Sequence, residues 1–353
     1  MANAPALSTR AKINHRIDYY KGLACILVVF IHARFPSPFG EAIVFVARAA
    51  VPFFFMVSGF FAYKVDEDLM LQGIPRKAKH IACIAFWSCL YNFACELLVA
   101  VVSGTNLLAW LQDTSSPLDV FLWVVFNNAI PGMHLWFLFA LLYCYGALYL
   151  LAKMRGVKIA YLVIPALFAC CWVQQSFQLV TLGLPEKLVP VLSRNWLFEG
   201  MPFFLMGHYL ASKKDTLTSR LSRVGSSCIL PVVCVGSVLG SILEGCVLGN
   251  QSELLLFTPS LTASCFIAAL IKPETSGLFE ITAEKIGRRY SLLIYVIHWS
   301  IFKAVDLLIQ LRGLQSNVAI RWIEPIGVVC ISLLVAVVFT KVQTLIKPRG
   351  AEA

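Results

Sequence analysis

Ten times along this chain an apolar stretch long enough to cross a bilayer is closed off by a short polar segment. The stretches fall at about 17–35, 42–63, 81–102, 134–152, 159–175, 196–212, 224–243, 257–271, 291–310 and 322–340. In hydrocarbon every backbone N–H and C=O must find its partner inside the structure, so only helices and closed barrels span a membrane. The expectation is an all-α polytopic membrane protein of about ten transmembrane helices. Composition agrees: 59% of the 353 residues are hydrophobic and 14% charged. Mean hydropathy is +0.78, unlike that of a soluble domain.

The charge pattern orients those helices. Net charge is +10, which in a soluble chain would suggest nucleic acid. Here the basic residues sit in short clusters between apolar spans, as the positive-inside rule requires. Arg10, Lys12 and Arg16 share a side with Lys64 to Lys79, Lys153 to Lys158, Lys213 to Arg223, Lys272 to Arg289, and Lys341 to Arg349. The other side holds only Lys187, Arg194, Arg312 and Arg321. Both termini are therefore expected to be cytoplasmic, with no nucleic-acid partner and the lipid bilayer as surroundings. The apolar segment Leu118–Ile130, flanked by Pro117 and Pro131, is too short to span and reads as a re-entrant or interfacial helix. The first apolar run could mimic a signal peptide, but Lys21 and His32 interrupt it at both ends, so it reads as an uncleaved helix. That divides the chain into a tail at 1–15, one membrane domain at 16–345 and a tail at 346–353, without an appended soluble domain. The 12 cysteines show no CxxC or Cys/His zinc spacing and read as small buried hydrophobes, with no metal expected.

Within the first span, Lys21 and His32 stand eleven positions apart. At about 100° per residue they return to within roughly 20° of each other, about 16 Å apart along the axis. One helix face thus carries a cation near one boundary and an imidazole near the other, with Cys25 and Val28 between them. Either residue alone could be a snorkelling side chain; the shared stripe favours a polar cavity. Arg48 inside the second span is either a buried ion pair, with Glu96 or Glu199 as partner, or an anchor for a polar ligand. Pro52 is expected to kink that span, and Ser58-Gly59 to permit close helix approach. The loop Gly73–His80 brings Arg76, Lys77 and Lys79 to the mouth of the third span. Ser291, Tyr295 and His298 fall on one face of the ninth. Such polar stripes must face protein or water, so the bundle is expected to bury a polar cavity.

Arg16-Ile17-Asp18, the Lys21/His32 spacing and Val51–Phe60 resemble the membrane acyltransferase-3 family, as do His134–Leu138, Pro202–Gly207 and Ser291–His298. The resemblance covers nearly the whole chain. It implies an integral membrane O-acyltransferase of extracytoplasmic glycans, in the bacterial inner membrane. The donor it implies is acyl-CoA, with acetyl as the group transferred. Lys21 and His32 become the catalytic pair, His32 as general base because imidazole titrates near neutrality. Lys21, Arg76 and Lys79 would hold the donor's phosphates. The family usually carries two arginines three apart at the last two positions; Lys79 here keeps the charge but loses bidentate geometry. Arg48, Ser58, His134, Trp136, Glu199, Tyr295 and His298 would line the substrate site, and Arg48, Tyr295 and His298 are the candidate oxyanion donors.

Two other classes fit the residues alone: a transporter of a small polar solute, which also uses intramembrane charges and broken helices, and a non-catalytic membrane subunit. Topology can be checked directly. A reporter active only in the periplasm should be silent when fused after Lys64, Lys153 or Lys213 and active after Asp113 or Asn250. Activity after Lys213 would make Leu118–Ile130 a full crossing.

Overall fold

The computed structural model describes residues 14–104, 121, 133–177, 194–223, 226–248 and 254–346. The expected re-entrant segment Leu118–Ile130 lies outside them apart from Phe121, as do most of the tails. Helices occupy all ten apolar segments. Among the described residues, seven helical spans are long and apolar enough to cross a membrane: Phe39–Ala62, Glu67–Val102, Trp136–Lys153, Val157–Gln175, Cys228–Leu248, Leu278–Leu311 and Val318–Ile346. The remaining segments are shorter or more charged. α1 (His15–His32) carries Arg16, Asp18 and Lys21 in its first two turns. The run 196–212 combines a π-helical turn, Trp196–Gly200, with α8 (Met201–Ser212). α11 (Thr258–Ile271) has 14 residues.

α1 starts because Asn14 caps it, its side chain accepting a hydrogen bond from Ile17 N at 3.0 Å. Asp18 adds a carboxylate to the first turn, where the helix dipole favours it. The helix stops at His32, just ahead of Pro36 and Pro38. The second span is interrupted where a kink is expected: α2 (Phe39–Ala47) ends at Arg48, and α3 (Ala50–Ala62) begins after Ala49, the two joining residues keeping a helical backbone. Pro52 explains the position of the break. It has no N–H for the carbonyl of Arg48, four residues earlier, and its ring crowds that carbonyl.

The stretch Gly73–His80 corrects the sequence reading. It is not a loop but part of α4 (Glu67–Val102), 36 residues capped by the Asp66 side chain. Gln72, Arg76, Lys77, Ala78 and Lys79 are good helix formers, and Met70 and Ile74 anchor this turn by burial. At 1.5 Å per residue α4 is about 54 Å long, so it runs well beyond the hydrocarbon.

The remaining described helices are α5 (Trp136–Lys153), α6 (Val157–Ala160), α7 (Ile164–Phe177), α9 (Lys214–Arg223), α10 (Ser226–Leu248), α12 (Leu278–Lys285), α13 (Ser291–Leu311) and α14 (Val318–Ile346). α1 is central, touching α2, α3, α11, α12, α13 and α14. Its N-terminus is pinned to the polypeptide around α12: Arg16 Nη1 bonds Glu280 at 2.5 Å and Arg16 Nη2 donates to Glu274 O at 2.7 Å. Phe55, Phe203, Phe204 and Phe266 are fully buried in the main apolar core. Large apolar side chains such as Phe86, Leu162 and Val232 point outward, as lipid-facing positions do. The cysteines depart from the expectation for the same reason. All twelve are free, but only Cys25, Cys144 and Cys171 are buried; Cys83, Cys170, Cys228, Cys246 and Cys330 face outward on helices that apolar surroundings would cover.

Without a hydrophobic force between helices in lipid, close packing of backbones carries much of their association. α3 and α8 meet that way. A Cβ added at Gly59 would fall on the carbonyl oxygen of Phe204, and one added at Gly207 on that of Met56. These atoms are main chain and cannot rotate aside. Gly59→Val or Gly207→Val should therefore cost at least the 1–3 kcal/mol typical of overpacking, about 1–3 kcal/mol being the range when side chains can still yield. The readout is a lower unfolding midpoint and loss of monodisperse protein in detergent; an unchanged midpoint would mean the helices separate without penalty.

Candidate active site

Helix ends and irregular turns assemble the polar centre. α1 delivers His32 from its last turn. The interruption before α3 places Arg48 between two helices. A 3-10 turn, Met133–Leu135, holds His134 ahead of α5, and Trp136 is the first residue of α5. The π-helical turn Trp196–Gly200 presents Glu199, and Asn195 caps that turn by accepting from Leu197 N and Phe198 N, both at 2.9 Å. Single π turns often mark functional sites because they turn one side chain out of register. A second π turn, Ile286–Tyr290, precedes α13, which carries Tyr295 and His298.

These elements enclose a cavity of about 40 Å³ lined by Val28, Ile31, His32, Arg48, Val51, His134, Trp136, Arg194, Glu199 and Tyr295. The space is enough for a few waters at most. His298 adjoins it: its ring centre lies 5.3 Å from that of His32 and 5.3 Å from that of His134. The rings of His32 and His134 are 6.5 Å apart. Tyr295 fixes His134 by donating its hydroxyl hydrogen to the His134 carbonyl at 2.5 Å. His298 Nδ1 faces two backbone carbonyls, Tyr295 O at 2.8 Å and Ile294 O at 3.1 Å. Carbonyls only accept, so Nδ1 carries the hydrogen and the neutral ring keeps a lone pair on Nε2. That Nε2 has no hydrogen-bond partner among the described residues.

Six of the residues singled out from sequence thus line one cavity: His32, Arg48, His134, Trp136, Glu199 and Tyr295, with His298 against it. Others lie elsewhere. Lys21 is a helix length away and pairs with Asp18 at 2.9 Å. Ser58 donates to Phe54 O at 2.9 Å, a bond within its own helix. Arg76 and Lys79 are exposed on α4. Of the two carboxylates considered for Arg48, Glu199 shares its cavity, whereas Glu96 accepts from Trp299 Nε1 at 3.1 Å and Lys303 Nζ at 3.4 Å.

Two site residues escaped the sequence reading. Arg194 was counted only as a loop charge, although Arg194-Asn195-Trp196 joins a cation, a capping residue and an aromatic at a span boundary. Trp299 follows His298 directly. Its ring lies 5.1 Å from that of His32 and stacks on that of His134 at 5.7 Å and 26°. With its indole N–H held by Glu96, and Lys303 over its face at 5.4 Å, Trp299 braces two histidines against α4.

Glu199 is the carboxylate among the lining residues and lies within electrostatic reach of both Arg48 and Arg194. Removing one member of a buried charge group typically costs about 3–5 kcal/mol. Glu199→Ala should destabilise the protein by that order, seen as a lowered unfolding midpoint in detergent. Glu199→Gln, which retains a hydrogen-bond acceptor, should lose less. Equal midpoints for wild type and Glu199→Ala would show that the arginines do not depend on this carboxylate.

No solved structure matches the chain. An amino-acid racemase from Enterococcus faecalis is similar to it, 24% identical over 95% of this chain but 46% of that protein, so the chain spans just under half the length of this curated relative. A family described as an acyltransferase domain matches residues 14–341. With nearly its whole length matched, and with multiple apolar helices around a polar centre, the chain belongs to the acyltransferase-3 family.

Proposed function

We propose that the protein moves an acyl group, acetyl being the simplest, from cytoplasmic acyl-CoA to a hydroxyl of an extracytoplasmic glycan or similar acceptor. The observation that carries this reading is the convergence of His32, His134 and His298 with Arg48, Arg194 and Glu199 around one cavity, in a chain of the acyltransferase-3 family. The proposed setting is a multi-pass protein of a bacterial inner membrane, with both termini cytoplasmic and ten crossings. The distribution of lysine and arginine supports that orientation. On this map the end of α1 that bears His32 lies in the outer half of the bilayer, on the side from which an acceptor would arrive.

The chemistry is a single substitution at a carbonyl. The acceptor hydroxyl gives its proton to the His32 imidazole as its oxygen bonds to the thioester carbon. The tetrahedral intermediate then breaks its C–S bond, and the departing thiolate takes the proton back from the imidazolium as free CoA thiol. Negative charge builds on the carbonyl oxygen between these steps. Of the three donors considered for it, Tyr295 already gives its hydrogen to the His134 carbonyl, and His298 gives its own to backbone carbonyls. Arg48, with five N–H donors and a place in the cavity wall, is the best suited of the three. The indole of Trp299 keeps the His32 ring in place.

General-base catalysis is typically worth about 10²–10⁴-fold. His32→Ala and His32→Gln should therefore both lose at least that much acyl transfer while acyl-CoA still binds, because glutamine can hydrogen-bond but not take the proton. Transfer and donor affinity are measured on the same detergent-purified variants. Near-normal turnover by His32→Gln would sink the mechanism.

A further inference from the structure

A second, larger cavity lies at the opposite end of α3 from Arg48. Its volume is about 480 Å³, and its wall includes Tyr63, Lys64, Lys158, Tyr161, Tyr209 and Lys213. That volume falls within the range of small-molecule sites, about 300–1,000 Å³. The three lysines are exposed at its rim and have no carboxylate partner among the described residues. The acid beside them, Glu67, is already paired with Arg155 at 3.2 Å. The tyrosines supply flat apolar surface: Tyr161 and Tyr209 meet edge to face at 5.2 Å. Buried His208 forms the floor, bonded through Nδ1 to the Tyr161 hydroxyl at 2.7 Å and packed against the Tyr63 ring at 5.2 Å. The positive-inside rule accounts for lysines on this side of the membrane. It does not require three of them, from three separate segments, to converge unpaired on one aromatic-walled cavity.

Cations around a pocket select an anion, and tyrosine rings beside them select a planar ring attached to it. We propose that this cavity docks the nucleotide diphosphate end of the acyl donor, a role that rests on the acyl-CoA reading above. α3 has 13 residues, so about 20 Å of helix separates this cavity from the one at Arg48. The extended pantetheine arm is what has to cover that distance. The site is distinct from Lys21, which is engaged by Asp18, and from Arg76 and Lys79, farther along α4.

The test titrates the detergent-purified full chain with CoA and with ADP, which carries a nucleotide diphosphate without the arm, at low and high salt. The wild type should bind both, more weakly as salt rises because rim contacts are screened. The Lys64→Gln/Lys158→Gln/Lys213→Gln variant should lose about tenfold or more in affinity for both. A control variant, Lys272→Gln/Lys285→Gln/Lys341→Gln, removes the same charge elsewhere and should bind as wild type does. Unchanged ADP and CoA binding in the first variant, or equal loss in the control, overturns the proposal. So does a wild type that binds no ADP while phosphatidylglycerol copurifies in a manner dependent on these lysines, which would make the occupant a lipid headgroup. Acyl transfer on the same preparations separates the two readings. Normal transfer with lysine-independent binding sinks the pocket and leaves the enzyme. Lysine-dependent ADP binding in a wild type that transfers nothing supports the nucleotide site and sinks the donor reading.

Discussion

Ionisable groups inside a bilayer have to face one another, and much of this architecture follows from meeting that demand at one place. His32, Arg48, His134, Arg194, Glu199 and His298 come from separate elements, and none of them can be left against lipid chains without a large cost. Gathering them takes side-chain directions that continuous helices do not provide. The chain uses helix ends and irregular turns instead: the turn at Arg48-Ala49, the 3-10 turn bearing His134 that opens α5, and the π turn bearing Glu199 that opens α8. Helix ends leave backbone groups without helical partners, which is tolerated at membrane depth only where protein or a polar cavity can satisfy them. The polar centre and these helix ends therefore support one another.

Much of this could be read in the sequence because membrane helices carry a strong signal. The apolar runs all fall on helical segments, and the 3.6-residue period places Tyr295 and His298 on one buried face of α13. Pro52 announced the irregularity in the second span, and the turn at Arg48-Ala49 lies one helical turn before it. The periodicity argument had less to say about charge pairing. Nothing in the spacing of Arg48, Glu96 and Glu199 tells which carboxylate an arginine will meet, since that depends on how helices far apart in sequence are arranged. Trp299 was overlooked for a related reason. A tryptophan in a membrane helix ordinarily reads as lipid anchor, and only the tertiary fold turns its ring between two histidines. At Gly73–His80 the error was of another kind: the polar cluster masked good helix formers, and a helix may leave the membrane without ending.

Lys21 and His32 show where one-dimensional geometry holds and where it stops. The stripe exists, with Cys25 and Val28 buried between the two residues. Yet only His32 reaches the cavity; Lys21 turns back one helical step to Asp18. A shared face ensures that two side chains point the same way, but not that they address the same space. Arg16 serves the junction between α1 and the polypeptide around α12 through Glu280, whereas the Lys21–Asp18 pair stays within α1. That junction holds the axis of α1, and so sets where His32 lies at its far end.

The pairing of α3 with α8 gives the two cavities a common frame. Both helices open with a Pro-Phe-Phe sequence, Pro52-Phe53-Phe54 and Pro202-Phe203-Phe204, and both carry a glycine at their mutual crossing. Proline in a first turn costs no hydrogen bond, because the N–H it lacks would have no partner there. It does constrain the residues just before it, and those residues include Arg48 and Glu199. The same cavity receives both. At their other ends the two helices deliver Tyr63-Lys64 and His208 to Lys213 to the second cavity. They therefore run parallel, clamped backbone to backbone in the middle, with a polar pocket at each end. Such a pair is stiff along its length, since neither helix can slide without driving Gly59 or Gly207 into a carbonyl. The distance between the pockets is then a property of α3 and α8 themselves and does not depend on the loops around them. A ligand held at both ends would be measured against that fixed length.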